Sequence, residues 1–293
     1  MKLLLFLIMI ALGLSSCQKE VELDQPSYRR KIVVDGYIET GRQAHVFLTL
    51  SSPYLTHYDS ASIRETFLNY AKVTLTSSTG EEEVLTLFRE DRFFPPFVYK
   101  SIAIKGQEGE TYHLRAEVKG RIVTATTTIP QAVAVVDTRM TQISDTTGFV
   151  EFATNPPNEG SYYLFTRVKS RFADSDFHPS FNPLSRVKFT QNPPVWQRIL
   201  RSSELGHYFS DPKSSFYDPY DWFEYDRRDT VEIIVGTVDS VSYRVIESLF
   251  IDRVNQENPF AFNGNRIETN IEGGIGRWTG IGITGIETII TED

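Results

Sequence analysis

Beyond residue 30 the apolar positions recur mostly with a period of two. Tyr112, Leu114, Ala116 and Val118 alternate with His113, Arg115, Glu117 and Lys119. This is the spacing of a half-buried antiparallel strand with one apolar and one charged face. Gly120 makes a turn, and residues 121–129 return as a Thr-rich strand that ends at Pro130. Upstream, the β-branched residues 31–38 lead to a glycine turn at Gly41, and Val46, Leu48 and Leu50 share one face. Val73 and Leu75 alternate with Thr74 and Thr76, and SSTGEE turns the chain into residues 84–88. About seven short strands in roughly 100 residues, with no helical period, predict an immunoglobulin-like β-sandwich over residues 30–130. Pro130 is the expected boundary.

Residues 131–293 predict a second β-rich domain with one amphipathic helix. Residues 133–140, 149–154, 162–170 and 230–238 read as strands. Residues 172–226 are rich in proline and aromatics with little periodicity. From Val241 the period changes, and Val241, Val245, Ile246, Leu249, Phe250 and Val254 fall on one helical face. This predicts a helix over 241–256, capped by Asp239 or Ser240 and closed by Pro259. The glycine-rich tail is studded with β-branched residues and reads as paired terminal strands with close backbone packing.

The first residues carry a different signal. Lys2 precedes an apolar run over residues 3–14, too short for a bilayer, which needs about twenty residues, but suited to a signal peptide over 1–16. Leu14, Ser15, Ser16 and Cys17 resemble a bacterial lipobox, so Cys17 is the expected lipidation site and residues 17–29 its tether. A single acyl chain anchors only marginally, which is why such cysteines carry more than one. Cys17 is the chain's one cysteine, so a disulfide is excluded and the fold rests on its apolar core. A formal charge of −8 argues against nucleic acid and against a polybasic membrane patch.

Catalytic motifs are not found. Gly280, Gly282 and Gly285 match a dinucleotide-binding spacing, but too little chain follows for the βαβ unit that the motif needs. His45, His57, His113, His178 and His207 are scattered, with no zinc pair and no nucleophile elbow. Asp174, Asp176 and His178 could offer metal ligands, as could Asp211, Asp218 and Asp221, but a solvated loop is the expected reading. No catalytic residue, metal site or cofactor is expected, and a hydrolase built on a carboxylate pair is the least favoured reading. The most suggestive stretch is residues 208–225, where Tyr208, Phe209, Phe216, Tyr217, Tyr220, Trp222, Phe223 and Tyr225 crowd together. Such residues suit a protein interface or sugar stacking, or else a satellite core beneath a loop. Phe93, Phe94, Phe97 and Tyr99 form a smaller cluster of the same kind.

Several stretches occur in a telling order: VVDGYI at 33–38, VFLTLSSPY at 46–54, GETYHL at 109–114, and NIEGGIG at 270–276. With the lipobox they resemble the domain-of-unknown-function 4249 family of Bacteroidota cell-envelope lipoproteins. Arg277 and Trp278 stand where that family has an aromatic after the glycine run. The residues QKEVELD behind Cys17 are similar to the signal that sends such lipoproteins to the cell surface. The resemblance implies an outer-membrane lipoprotein held by acylated Cys17, facing the cell exterior. It also implies a partner, a TonB-dependent outer-membrane transporter that the protein would serve as a non-catalytic accessory or assembly module. The alternative is capture of a glycan or peptide by residues 208–225.

Overall fold

Period-two patterning builds most of the molecule. The computed structural model describes residues 28–52, 60–91, 94–155, 158–171, 176–189, 194–201, 224–256 and 267–290. The protein is mainly β. In chain order its strands begin with β1 (Ile32–Glu39), β2 (Gln43–Leu50), β3 (Lys72–Ser77), β4 (Glu82–Val84), β5 (Thr86–Arg89) and β6 (Phe97–Lys105). There follow β7 (Thr111–Val118), β8 (Arg121–Thr128), β9 (Ala134–Gln142), β10 (Thr147–Asn155), β11 (Gly160–Ser170) and β12 (His178–Phe189). The last are β13 (Val195–Ile199), β14 (Tyr225–Asp226), β15 (Thr230–Val238), β16 (Ile275–Ile283) and β17 (Glu287–Ile290). Two helices, α1 (Ser60–Arg64) and α2 (Ser240–Gln256), complete the described elements.

A nine-stranded sheet forms the spine, in the order β12-β11-β15-β16-β1-β2-β6-β5, with β17 also paired to β15. Two four-stranded sheets accompany it: β4-β3-β7-β8, and β13-β10-β14 with β9 on β10. Residues paired in register share a face, which locates each core. Ile38 pairs with Gly280, Thr237 with Gly282, and Leu164 with Thr237, so all of these point to one side of the spine. On that side Val34, Ile38, Val46, Leu75, Leu114 and Trp278 form one core beneath β3, β7 and β8. Phe152, Leu164, Val168, Ile199, Tyr225 and Ile233 form a second beneath β10 and β13. The opposite side carries Phe165, Ile234, Ile281 and Ile283, covered by Ile246 of α2.

Pro130, the expected domain boundary, lies inside one compact unit, Lys31–Asp293. There the chain crosses from the first cover sheet to the second, directly over β16. A Cβ on Gly282 would lie 2.2 Å from the Pro130 carbonyl oxygen, and one on Gly280 2.6 Å from that of Thr128. The close backbone packing expected of the glycine-rich tail is therefore present, and two of the three glycines of the dinucleotide-like spacing, Gly280 and Gly282, fall on β16. The terminal strands pair with β1 and β15 rather than with each other; β16 runs parallel to β1 over Val33–Ile275 to Glu39–Ile281.

The NIEGGIG stretch clasps this strand. Asn270 accepts the Trp278 backbone N–H at 2.9 Å and donates its amide to the Trp278 carbonyl at 2.7 Å, replacing a neighbouring strand where β15 does not reach. Glu272 bridges to Thr124 of β8 through both backbone groups. Trp278 is fully buried, and its indole N–H donates to the Tyr112 carbonyl at 3.1 Å.

Helix α2 starts where its cap was expected: Asp239 accepts the backbone N–H of Ser242 at 2.7 Å. Its buried face differs at the first turn, where Ser242 is buried and Val241 is exposed. Four strands were not anticipated. β6 lies behind the Phe-Pro cluster, and β12, β13 and the two-residue β14 lie within residues 172–226. Prolines 179 and 183 are tolerated because β12 is an edge of the spine.

Candidate functional site

On the helix-bearing side of the spine, β1, β2, β11 and β15 frame a cleft of about 220 Å³ lined by Tyr37, Glu39, Arg42, Gln43, His45, Arg167, Asp176, Phe177 and Ile234. Alternation explains the composition. Val34 and Ile38 face the first core, so Tyr37 and Glu39 face the other way, and His45 pairs with Tyr37 across β2. The turn at Gly41 carries Arg42 back towards Glu39, its N–H donating to the Glu39 carbonyl at 3.0 Å. Arg167 on β11 pairs in register with Ile234 on β15, which turns both towards the same side.

Glu39 is the hub. Its carboxylate is only 2 % exposed and takes one guanidinium on each oxygen: Arg42 Nη1 at 3.0 Å and Arg167 Nη2 at 2.5 Å. A carboxylate buried this deeply must be paired, because its desolvation is otherwise uncompensated. The two arginines exceed the one acid by a unit of positive charge. They also exceed it in donors: Arg167 Nε is buried with no hydrogen-bond partner among the described residues. Arg42 is 41 % exposed at its side chain and opens to solvent.

Tyr37 and His45 stack beside this pair, ring centroids 5.1 Å apart and planes 4° from parallel. Burial pushes the Tyr37 phenol up to about 12, helped by the neighbouring Glu39 carboxylate, so it is a hydroxyl donor at neutral pH. Burial lowers the His45 imidazole from its ordinary value; its bond to the Gln43 carbonyl pulls the other way, and Lys100 lowers it further. His45 Nδ1 donates to that carbonyl at 3.0 Å, which leaves Nε2 as an acceptor in the neutral ring. Phe177 and Ile234 supply apolar wall, and Asp176 is an exposed carboxylate that accepts the Phe177 N–H at 2.7 Å.

Most residues singled out from sequence lie elsewhere. Cys17, Tyr208, Phe209, Phe216, Tyr217, Tyr220, Trp222 and Phe223 fall outside the described residues, as do His57, His207, Asp174, Asp211, Asp218 and Asp221. Tyr225 is described, and its side chain is wholly buried in the second core. The smaller aromatic cluster is partly core: Tyr99 is buried and donates to the Leu68 carbonyl at 2.8 Å, while Phe94 and Phe97 gather around Phe67. His113 is on β7 against Thr126, and His178 is on β12 opposite Val168; neither lines the cleft. Among the described residues no group of three His, Cys, Asp or Glu could hold a metal ion. No described helix is long and apolar enough to cross a membrane. Glu39, Arg42 and Arg167 were missed; the alternation of β1 marks their face, but nothing local shows that it is covered.

The fold defines a mainly β protein built around one long sheet. The chain belongs to the family described as Domain of unknown function (DUF4249), whose match covers residues 18–284. No curated protein matches the sequence. Among solved structures it is similar to a DUF4785 family protein from Legionella pneumophila, at 11 % identity and TM-score 0.21 over 69 % of this chain. It spans about half of that protein, 50 %. It is also similar to bovine butyrophilin, at 11 % identity and TM-score 0.21, over 71 % of this chain and 92 % of that one.

Proposed function

We propose that the protein is a Bacteroidota cell-envelope lipoprotein, acylated at Cys17 and displayed on the outer membrane, where it serves a TonB-dependent transporter as a non-catalytic accessory or assembly module. The observation that carries this reading is the sequence around Cys17. A lipobox-like LSSC follows an apolar run, and a charged, proline-containing stretch leads to the compact unit that starts at Lys31. Membership of the family supports it. Two or more acyl chains at one terminus give a stable anchor where one does not. The test has two arms. Cys17→Ser is expected to release or mislocalise the protein, and unchanged membrane attachment refutes the anchor. Native protein purified in mild detergent is expected to bring down a large outer-membrane transporter; repeated recovery without one refutes the partner.

A second reading places capture of a glycan or peptide on residues 208–225. It draws support from the density of aromatic residues over 208–223 in the sequence; Tyr225 itself is buried in the second core and is not part of such a surface. Calorimetry against candidate oligosaccharides and peptides is expected to lose its signal in Tyr220→Ala and Trp222→Ala. Binding that survives both changes refutes it.

A further inference from the structure

We infer that the cleft around Glu39 binds a small zwitterionic α-amino acid, carboxylate against the arginines and ammonium towards Asp176. Glu39 neutralises one of the two guanidiniums that contact it, so the base of the cleft keeps one positive charge. Each arginine engages Glu39 through a single nitrogen rather than a two-pronged fork, so donors are left over on both. The Tyr37 hydroxyl adds another donor on the same wall. This surplus suits an oxyanion, and a planar carboxylate fits guanidinium geometry best.

The acceptors point to the other half of the ligand. Asp176 and the Nε2 of neutral His45 belong to the same lining, and neither has a cationic partner in the described geometry. A simple carboxylate would use only the donors, and a simple amine only Asp176 and His45. A ligand carrying both charges engages both sets. Phe177 and Ile234 leave room beside the polar groups for a small apolar side chain. The size agrees, since about 220 Å³ is below the range of drug-sized pockets, roughly 300–1,000 Å³.

The inference is tested on the full chain in mild detergent, by ligand-observed NMR and calorimetry. The probes are L-alanine, L-valine, L-lactate, ethylamine and D-glucose at up to about 10 mM, which reaches millimolar affinities. L-alanine or L-valine is expected to bind, with lactate and ethylamine weaker by about tenfold or more for the missing charge. Arg42→Gln and Asp176→Asn are each expected to weaken the amino acid about tenfold; Asp176→Asn alters an exposed group and keeps the melting temperature, whereas Arg42→Gln removes one partner of buried Glu39 and lowers it, so binding is measured well below the melting of both. No binding of either amino acid overturns the inference. So does glucose or lactate binding as well as alanine, or amino-acid binding that both variants leave intact.

Discussion

Gly276→Ala is the sharpest test of how the chain is closed. Gly276 pairs with Val34 in the parallel ladder between β16 and β1, and its φ is +113°. A Cβ there would lie 1.9 Å from the Val34 carbonyl oxygen, with the Val34 carbon at 2.9 Å and its nitrogen at 3.0 Å. Ordinary contact begins roughly 1.5 Å further out, and all three atoms are backbone, so no side chain can swing aside. β16 would have to lift from β1 while still held by the Asn270 clasp. Backbone strain costs about 1–3 kcal/mol and overpacking a further 1–3 kcal/mol or so. The sum of about 2–6 kcal/mol is a large part of the roughly 5–15 kcal/mol that holds a typical protein folded. At about 2–4 °C per kcal/mol, the melting temperature should fall by around 10 °C.

Two companions separate the terms. Gly41 has φ +72° but nothing within 4 Å of its added Cβ, so Gly41→Ala reads strain alone, about 1–2 kcal/mol. Gly285 has open space and no such φ, so Gly285→Ala should fall within about 0.5 kcal/mol of the parent. Urea and thermal unfolding followed by circular dichroism give all three values. The reasoning is refuted if Gly276→Ala unfolds with Gly285→Ala rather than well below Gly41→Ala.

Asn270→Ala removes both side-chain bonds to the Trp278 backbone and should cost about 2–3 kcal/mol in urea unfolding, while Asn270→Asp, which keeps the acceptor alone, should cost less; equal costs would sink the clasp. His45 should titrate below 6.5 by NMR, because burial lowers it. The unfolded chain then takes up the proton first, so this group's contribution is complete above about pH 6.5 and is lost as pH falls. His45→Gln should flatten that slope, and an unchanged slope counts against it. Burial would raise Glu110, but hydrogen bonds from Thr79, Tyr112 and Ser77 outweigh it and hold the carboxyl below 4.5. Its stabilisation is thus present above that value and is lost as pH falls through the lower folded value. Glu110→Gln should show a shallower acid loss in thermal melts; the same acid profile as the parent contradicts the assignment.

Local pattern carried most of the strands and little of the site. The alternation at residues 112–118 and the cap at Asp239 are short-range facts, and both are legible in the chain. β12 was hidden because Pro179 and Pro183 break the strand signature, and only an edge position makes them harmless. The glycines of the tail advertised close packing without naming the partner, since the carbonyls of Thr128 and Pro130 are about 150 residues away in the chain. Nothing in the local pattern sets Glu39 and Arg167 apart from other charged strand residues. What buries them is the register of three pairings, β1 with β16, β16 with β15, and β15 with β11. No local window contains that information.

The same register ties the site to the end of the chain. Glu39 and Arg167 are 128 residues apart, and the strands that carry them are separated in the spine by β15 and β16. Glu39 pairs with Ile281 of β16, and Ile281 packs so close to β15 that a Cβ on Gly236 would lie 2.4 Å from its methyl group. Arg167 reaches Glu39 because Gly236 has no side chain to push the two halves of the spine apart. The cleft therefore comes into being only when β16 has inserted between β1 and β15. Loop closure over such sequence separations is costly and late in folding. The glycine-rich tail is thus both the keel of the fold and a condition for the site.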